Sequence, residues 1–256
     1  MPVRAVAKHI GVTDKRLWRV VHHYVAQALS QFDLSQLKAI GLDESASKRG
    51  HNYVTVFIDM ERNAMLVVFA TSGRGKQTLQ AFRAFLQNHK GNPAQVLEVV
   101  CDMSPAFLQG ISETLPEAEV TVDWFHIVQT FTRALDEVRK QEHRQQKLPK
   151  HTRWAVLKRW GVHHLTRNQQ AALIELLGSG AHTATAWIIK EKLSWIRQAK
   201  TPQAARWRIT NFLRYARKSA SIAAILEPMN KALDTLQRHA ERVVRRWGHQ
   251  PTPTLA

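Results

Sequence analysis

Asp43 closes the apolar run Leu37-Lys-Ala-Ile-Gly-Leu-Asp43 and is followed at once by Glu44, while Asp102 closes Val96-Leu-Glu-Val-Val-Cys-Asp102. Two apolar strands that each end on a carboxylate can set both at one edge of a sheet. Such a pair offers hard oxygen ligands to Mg2+ or Mn2+ held against phosphate oxygens. Aspartate also ends strands simply because it favours turns, so the pair alone leaves both readings open. Neighbouring side chains of an extended segment point to opposite faces. Asp43, rather than Glu44, is therefore expected to share a face with Asp102.

The elements that must position these acids read as follows. Strand 1 covers about 37–43, with a polar turn at 45–50. Strand 2 is Tyr53-Val-Thr-Val-Phe-Ile-Asp59, and Glu61-Arg-Asn63 turns the chain into strand 3, Met65-Leu-Val-Val-Phe-Ala-Thr71. The short connections predict an antiparallel meander. A helix over about 76–89 puts Leu79, Phe82, Phe85 and Leu86 on one face, and a nearly all-apolar strand 4 follows at 96–102. Its helical crossover makes it parallel to strand 1. A short helix from Pro105 and strand 5, Glu119-Val-Thr-Val-Asp123, complete a β-β-β-α-β-α-β order. Beyond Trp124 the pattern is helical: about 125–146, 151–159, 167–178, 182–198, 202–217 and 220–246, the last bent or split at Pro228.

Residues 2–30 read as a helix-turn-helix. Gly11 supplies the positive φ of the turn, and Thr13 caps the second helix. Lys15, Arg16 and Arg19 then lie at the exposed start of that helix, where a recognition helix meets the major groove. An ordinary α-hairpin is the alternative.

Charge points to the ligand class. The formal net charge is +17, unevenly spread. Residues 1–126 hold 13 Lys/Arg against 12 Asp/Glu, whereas 127–256 hold 24 against 8. A near-neutral half joined to a strongly basic one is the footprint of a polyanion-binding protein. Tryptophans alternate with arginine at Arg153-Trp154, Arg159-Trp160, Arg206-Trp207-Arg208 and Arg246-Trp247. They either stack on bases or fill a core with the arginines reaching outward. The single cysteine, Cys101, excludes an internal disulfide framework and a zinc site built on several thiolates. No apolar run reaches the ~18 residues of a membrane span and no signal peptide is visible. The chain therefore reads as soluble and cytoplasmic, and not bound to a membrane; nucleoid association is expected only from its charge as a nucleic-acid binder.

The strand order, together with Ile40-Gly-Leu-Asp43-Glu44, Lys48-Arg-Gly-His-Asn-Tyr53, Cys101-Asp-Met-Ser-Pro-Ala-Phe107 and Asp123-Trp-Phe-His126, resembles the DDE-type bacterial insertion-sequence transposases of the ISL-three family. The resemblance runs from about residue 2 to Trp247. It implies an α/β (α+β) RNase H-like mixed sheet and four parts: a helix-turn-helix DNA-binding segment at 1–31, the catalytic core at 37–123, a basic helical insertion at 124–247, and a disordered tail at 248–256. It further implies Mg2+ (or Mn2+) ions held by Asp43 and Asp102. The expected reaction is cleavage and strand transfer on double-stranded DNA, at the transposon's terminal inverted repeats and in target DNA, by a homo-oligomer. Asp123 and His126 match the family's Asp-x-x-His stretch and would support the site or contact DNA. Alternatively, His126 is a helix-start histidine partnered with Asp123.

The third acid of the family pattern has no match. Glu227 and Glu241 are available, but both sit within the helical insertion, and the family's Glu-Gly-Leu-Asn stretch is absent. Codons for residues 249–256, read one base out of frame, can encode Thr-Asn-Ala, the segment that precedes the third acid in the family. The expectation is a frameshifted chain that also lacks the family's Cys-rich zinc-binding segment and is inactive in this form. The alternative is a non-catalytic DNA-binding remnant that occupies transposon ends or interferes with intact transposase. A nuclease of RNA–DNA hybrids is a third reading.

Overall fold

The computed structural model describes residues 2–48, 52–61, 66–158 and 164–248. Its centre is a five-stranded sheet in the order β3-β2-β1-β4-β5. The strands are β1 (Ala39–Lys48), β2 (Asn52–Asp59), β3 (Val67–Ser72), β4 (Glu98–Cys101) and β5 (Glu119–Val122). β1, β2 and β3 pair antiparallel, while β1 with β4 and β4 with β5 pair parallel. The mixed α/β, RNase H-like architecture expected from the sequence is the one observed.

Alternation along the strands builds the main core of the sheet. Ile40 and Leu42 of β1, Phe57 of β2, and Val99 and Cys101 of β4 turn to one face and are fully buried. Two helices cover that face. α3 (Lys76–Asn88) brings Leu79, Phe82 and Leu86; α4 (Pro105–Thr114) brings Phe107 and Ile111. Phe57 stacks on Phe82 with ring centroids 4.4 Å apart. Burial of each such side chain contributes roughly 1.5–3 kcal/mol. Gly110 lets α4 press against α3: a Cβ there would meet Leu79 Cδ1 at 2.6 Å. The opposite face buries a smaller cluster, Ala39, Met60 and Val100.

At the amino end, α1 (Val3–His9) and α2 (Asp14–Ser30) form a helical pair. Gly11 takes φ 72°, and the Thr13 side chain accepts from Arg16 N–H, so the turn and cap fall where the sequence places them. No residue of α2 is buried.

The second half of the chain is helical: α5 (Trp124–Gln145), α6 (Thr152–Leu157), α7 (Arg167–Gly178), α8 (His182–Glu191), α9 (Leu193–Arg197), α10 (Pro202–Ala220), α11 (Glu227–Arg238) and α12 (Ala240–Val244). They share one apolar core that reaches the sheet through Val122 and Trp124. A buried carboxylate ties it together. Glu142, near the end of α5, accepts from the backbone N–H of His182 (2.7 Å) and Thr183 (2.8 Å) and from the Thr183 hydroxyl (2.6 Å). It thereby satisfies the free N–H groups at the start of α8.

Four boundaries differ from the sequence reading. β1 does not turn at Ser45 but pairs with β2 as far as Lys48, since Ser45 and Ala46 are exposed and a polar strand end costs nothing there. β4 starts at Glu98, because Pro93–Gln95 forms a short 3-10 turn that delivers it. The predicted 182–198 helix breaks at Lys192 into α8 and α9. The predicted 220–246 helix is split rather than bent: α11 begins only at Glu227, with Pro228 in its first turn, where its missing N–H has no helical partner to lose, and α12 follows after His239. The expectations at Arg49 to His51, at Arg62 to Met65, at Arg159 to Gly161 and for the tail at 249–256 lie outside the described residues.

Candidate functional site

Sheet register brings the acids together. Gly41 of β1 lies opposite Val100 of β4, and Cys101 of β4 opposite Val122 of β5. Two further residues along β1 and β4 bring Asp43 level with Asp102, and one further along β4 and β5 brings Asp102 level with Asp123. Asp123 N–H still donates to Cys101 C=O at 2.9 Å, so the pairing geometry persists to this edge. Alternation puts Asp43 on the face of Ala39 and Asp102 on the face of Val100, away from Leu42 and Cys101. The three aspartates thus mark adjacent strands at the edge where the parallel strands end.

Each carboxylate is fixed by one backbone N–H. Asp43 Oδ1 accepts from Glu44 N–H and Asp102 Oδ1 from Ser104 N–H, both at 2.8 Å. Asp123 caps α5 by accepting from Phe125 N–H at 3.2 Å. In each case no described residue hydrogen-bonds the second oxygen. Asp43 and Asp102 are half-buried, whereas Asp123 is buried. Burial pushes the Asp123 carboxyl above its usual value, against the lowering influence of Phe125 N–H, His126 and Arg246.

His126, in the first turn of α5, faces the site. Its Nε2 stands 3.7 Å from Asp43 Oδ1, is buried, and makes no hydrogen bond with a described residue. The histidine therefore reaches towards the first acid while it also acts electrostatically on Asp123, beside which it starts α5. Glu44 also feels the site: burial raises its carboxyl first, and the Asp102 charge raises it next. Adjacent residues alternate faces, yet Glu44 remains within electrostatic reach of Asp102.

The donor set suits a hard divalent cation: two half-buried carboxylates, each with one oxygen not hydrogen-bonded by a described residue, and a buried imidazole nitrogen that no described residue hydrogen-bonds. Among the described residues no three acidic, histidine or cysteine groups already converge tightly enough to enclose one. Glu241 does not supply the missing ligand. Both its oxygens are engaged by Arg206, at 3.0 and 2.7 Å. Glu227 lies exposed in the first turn of α11.

Sequence reasoning missed the basic residues that reach the sheet from the far end of the chain. Arg246 acts electrostatically on Asp123, and Arg245 donates to Val120 C=O at 3.1 Å and pairs with Glu119. Only the Arg245-Arg246-Trp247 cluster hinted at them, and no spacing rule links it to β5. Lys15, Arg16 and Arg19 are exposed on the first turns of α2. The tryptophans divide between the two readings. Trp124 and Trp247 pack edge to face, and Trp247 Nε1 donates to Ala199 C=O, whereas Trp154 and Trp207 are 53% and 62% exposed. Among the described residues no helix is long and apolar enough to cross a membrane.

Comparison with known proteins gives a consistent result. The family described as Transposase, of the DDE type and ISL-three group, matches residues 40–254. The transposase for insertion sequence element IS1001 from Bordetella parapertussis is 29% identical over 184 residues, 65% of this chain and 44% of that protein. The transposase for insertion sequence element IS1557 from Mycobacterium tuberculosis is 32% identical over 129 residues, 48% of this chain and 28% of that protein. The chain therefore matches less than half the length of either relative.

Proposed function

This chain belongs to the DDE-type insertion-sequence transposases of the ISL-three family, and from that premise we propose that the edge formed by Asp43 and Asp102 cuts a DNA phosphodiester at a transposon end and joins the freed end to target DNA. The observation that carries this reading is the register that aligns Asp43, Asp102 and Asp123 on three neighbouring parallel strands. Asp43 and Asp102 would hold Mg2+ or Mn2+, which supplies Lewis-acid neutralisation of the reacting phosphate. His126 holds the Asp43 carboxylate in place from the α5 side. Arg246 offsets the Asp123 charge, so that the cap of α5 keeps its position. Lys15, Arg16 and Arg19 neutralise backbone phosphates of the terminal repeat, as do the basic helices after residue 124. The partner is double-stranded DNA, the working state is a homo-oligomer, and the setting is the cytoplasm, on the nucleoid.

In this reading residues 1–31 bind DNA, 37–123 house the reaction and 124–247 extend the basic surface. A second reading is favoured by one observation: among the described residues no group of three acidic, histidine or cysteine side chains is gathered closely enough to hold a metal ion. The chain then occupies transposon ends without cutting them. A cleavage assay in Mg2+ on duplex DNA bearing the element's own ends separates the two, with Asp43→Ala as control. Nicking that the substitution abolishes supports strand cleavage. Salt-sensitive binding without nicking supports occupation alone.

A further inference from the structure

An aromatic and cationic surface lies in the helical half of the chain, and the cleavage reading gives its exposed rings no role. Along α10, Trp207, Asn211, Tyr215 and Ser219 follow at intervals of four and so share one face. Trp207 is 62% and Tyr215 41% exposed. The two rings are about 12 Å apart along the helix axis, the length of roughly three to four stacked nucleotides in one strand. Beside them lie two open clefts that meet at Tyr215. One, of about 440 Å3, is bounded by Lys192, Trp195, Asn211 and Tyr215. The other, of about 490 Å3, is bounded by Ile188, Tyr215, Lys218 and Ile222.

The rings are held rather than loose. Trp207 meets Trp195 edge on, with centroids 5.6 Å apart, and Asn211 Nδ2 donates to Trp207 C=O at 2.8 Å. Trp195 is itself fixed: the Arg208 guanidinium lies over it at 5.3 Å and donates to its carbonyl at 2.6 Å. Lys192 Nζ sits over the Tyr215 ring, 4.4 Å from its centroid. Every charged side chain lining the two clefts is a cation, Lys192 in one and Lys218 in the other. A hydrophobic partner helix would use such rings but not this charge. Duplex DNA would use the charge but keeps its base faces stacked within the helix. Unpaired DNA uses both, because each base offers a π-face and each linkage a phosphate.

We propose that the Trp207–Tyr215 face of α10 binds an unpaired DNA segment, stacking its bases on the two rings while Lys192 and Lys218 meet its phosphates. The inference rests on the reading that this chain binds DNA. The test is fluorescence anisotropy of a labelled duplex, blunt or carrying an oligothymidine tail, against the full chain and its Trp207→Ala, Tyr215→Ala and Trp207→Phe forms. The expected result is tighter binding of the tailed duplex by the unsubstituted chain. Each alanine substitution should weaken tailed binding about tenfold while leaving blunt binding and the melting temperature unchanged, and Trp207→Phe should retain most of the tail's effect. A tail that adds nothing, or equal losses on blunt and tailed DNA, overturns the proposal and leaves DNA binding intact. Loss of self-association in the alanine variants, measured by sedimentation, also overturns it and makes the face a contact between copies. If the unsubstituted chain binds neither duplex, the DNA-binding reading falls, and this one with it.

Discussion

His126 Nε2 stands 3.7 Å from Asp43 Oδ1, joining the first turn of α5 to β1 across the open edge of the sheet. The imidazole nitrogen is buried and makes no hydrogen bond with a described residue. A nitrogen in that position constrains where the carboxylate points. His126→Ala should therefore lower Mg2+-dependent nicking by about 10–100-fold, the usual effect of removing a group that orients a metal-binding carboxylate. The Mg2+ concentration at half-maximal rate should rise, while affinity for DNA stays unchanged. An unaltered Mg2+ midpoint would show that the histidine is merely packed there.

Cation binding can be measured without catalysis. At ten times its dissociation constant, Mg2+ or Mn2+ should stabilise the fold by about 1.4 kcal/mol, seen as a rise in Tm. Asp43→Asn and Asp102→Asn should each abolish that rise. A rise that survives both substitutions would place the cation elsewhere.

Engagement of DNA by α2 predicts a salt signature. Replacing Lys15, Arg16 and Arg19 by alanine should weaken duplex binding and reduce the slope of log K against log salt by about 0.9 for each phosphate no longer neutralised. All three are exposed and support no core, so the melting temperature should not change. An unchanged slope would assign the electrostatic attraction to the later helices.

Glu142 predicts a stability effect remote from the chemistry. Its carboxylate is buried and serves two backbone N–H groups and the Thr183 hydroxyl. Glu142→Ala leaves these donors buried and unpaired, and should cost about 3 kcal/mol. Glu142→Gln, which keeps one acceptor, should cost less. Urea unfolding followed by circular dichroism would measure both.

Glu241 tests the missing third acid. Its hydrogen bond to the Arg206 guanidinium holds the carboxyl below the usual glutamate value. A lowered folded value means that the pair's small contribution is present above the ordinary glutamate range and is lost as pH falls through the lowered value. Glu241→Gln should remove that contribution at neutral pH, change nothing in strong acid, and leave any Mg2+-dependent nicking intact. Loss of nicking would restore Glu241 as a ligand.

Much of the sheet could be read from the chain because its strands are patterned by burial. Ile40 and Leu42, or Val99 and Cys101, alternate with residues of the other face, and a helical crossover leaves β4 no choice but to run parallel to β1. That same logic placed Asp43 and Asp102 at one edge. Other pairings had no such signal. Arg246 reaches Asp123 from the far end of the chain, and Glu142 reaches α8 across an intervening pair of helices. Neither lies within a repeating pattern, so only the packed structure reveals them. The extension of β1 to Lys48 was hidden for a different reason: Ser45 and Ala46 look like turn residues, and it is pairing with β2, not side-chain preference, that keeps them extended.

Cys101 lies one residue before Asp102, fully buried in β4 under α3 and α4, and burial pushes its thiol far above the ordinary range. As the only cysteine in the chain, it makes the protein its own reporter. A thiol reagent can reach this position only when β4 is exposed from beneath its covering helices, so the labelling rate counts those openings. Ligands that brace the Asp102 edge will slow the clock, and those bound only at α2 will leave it running.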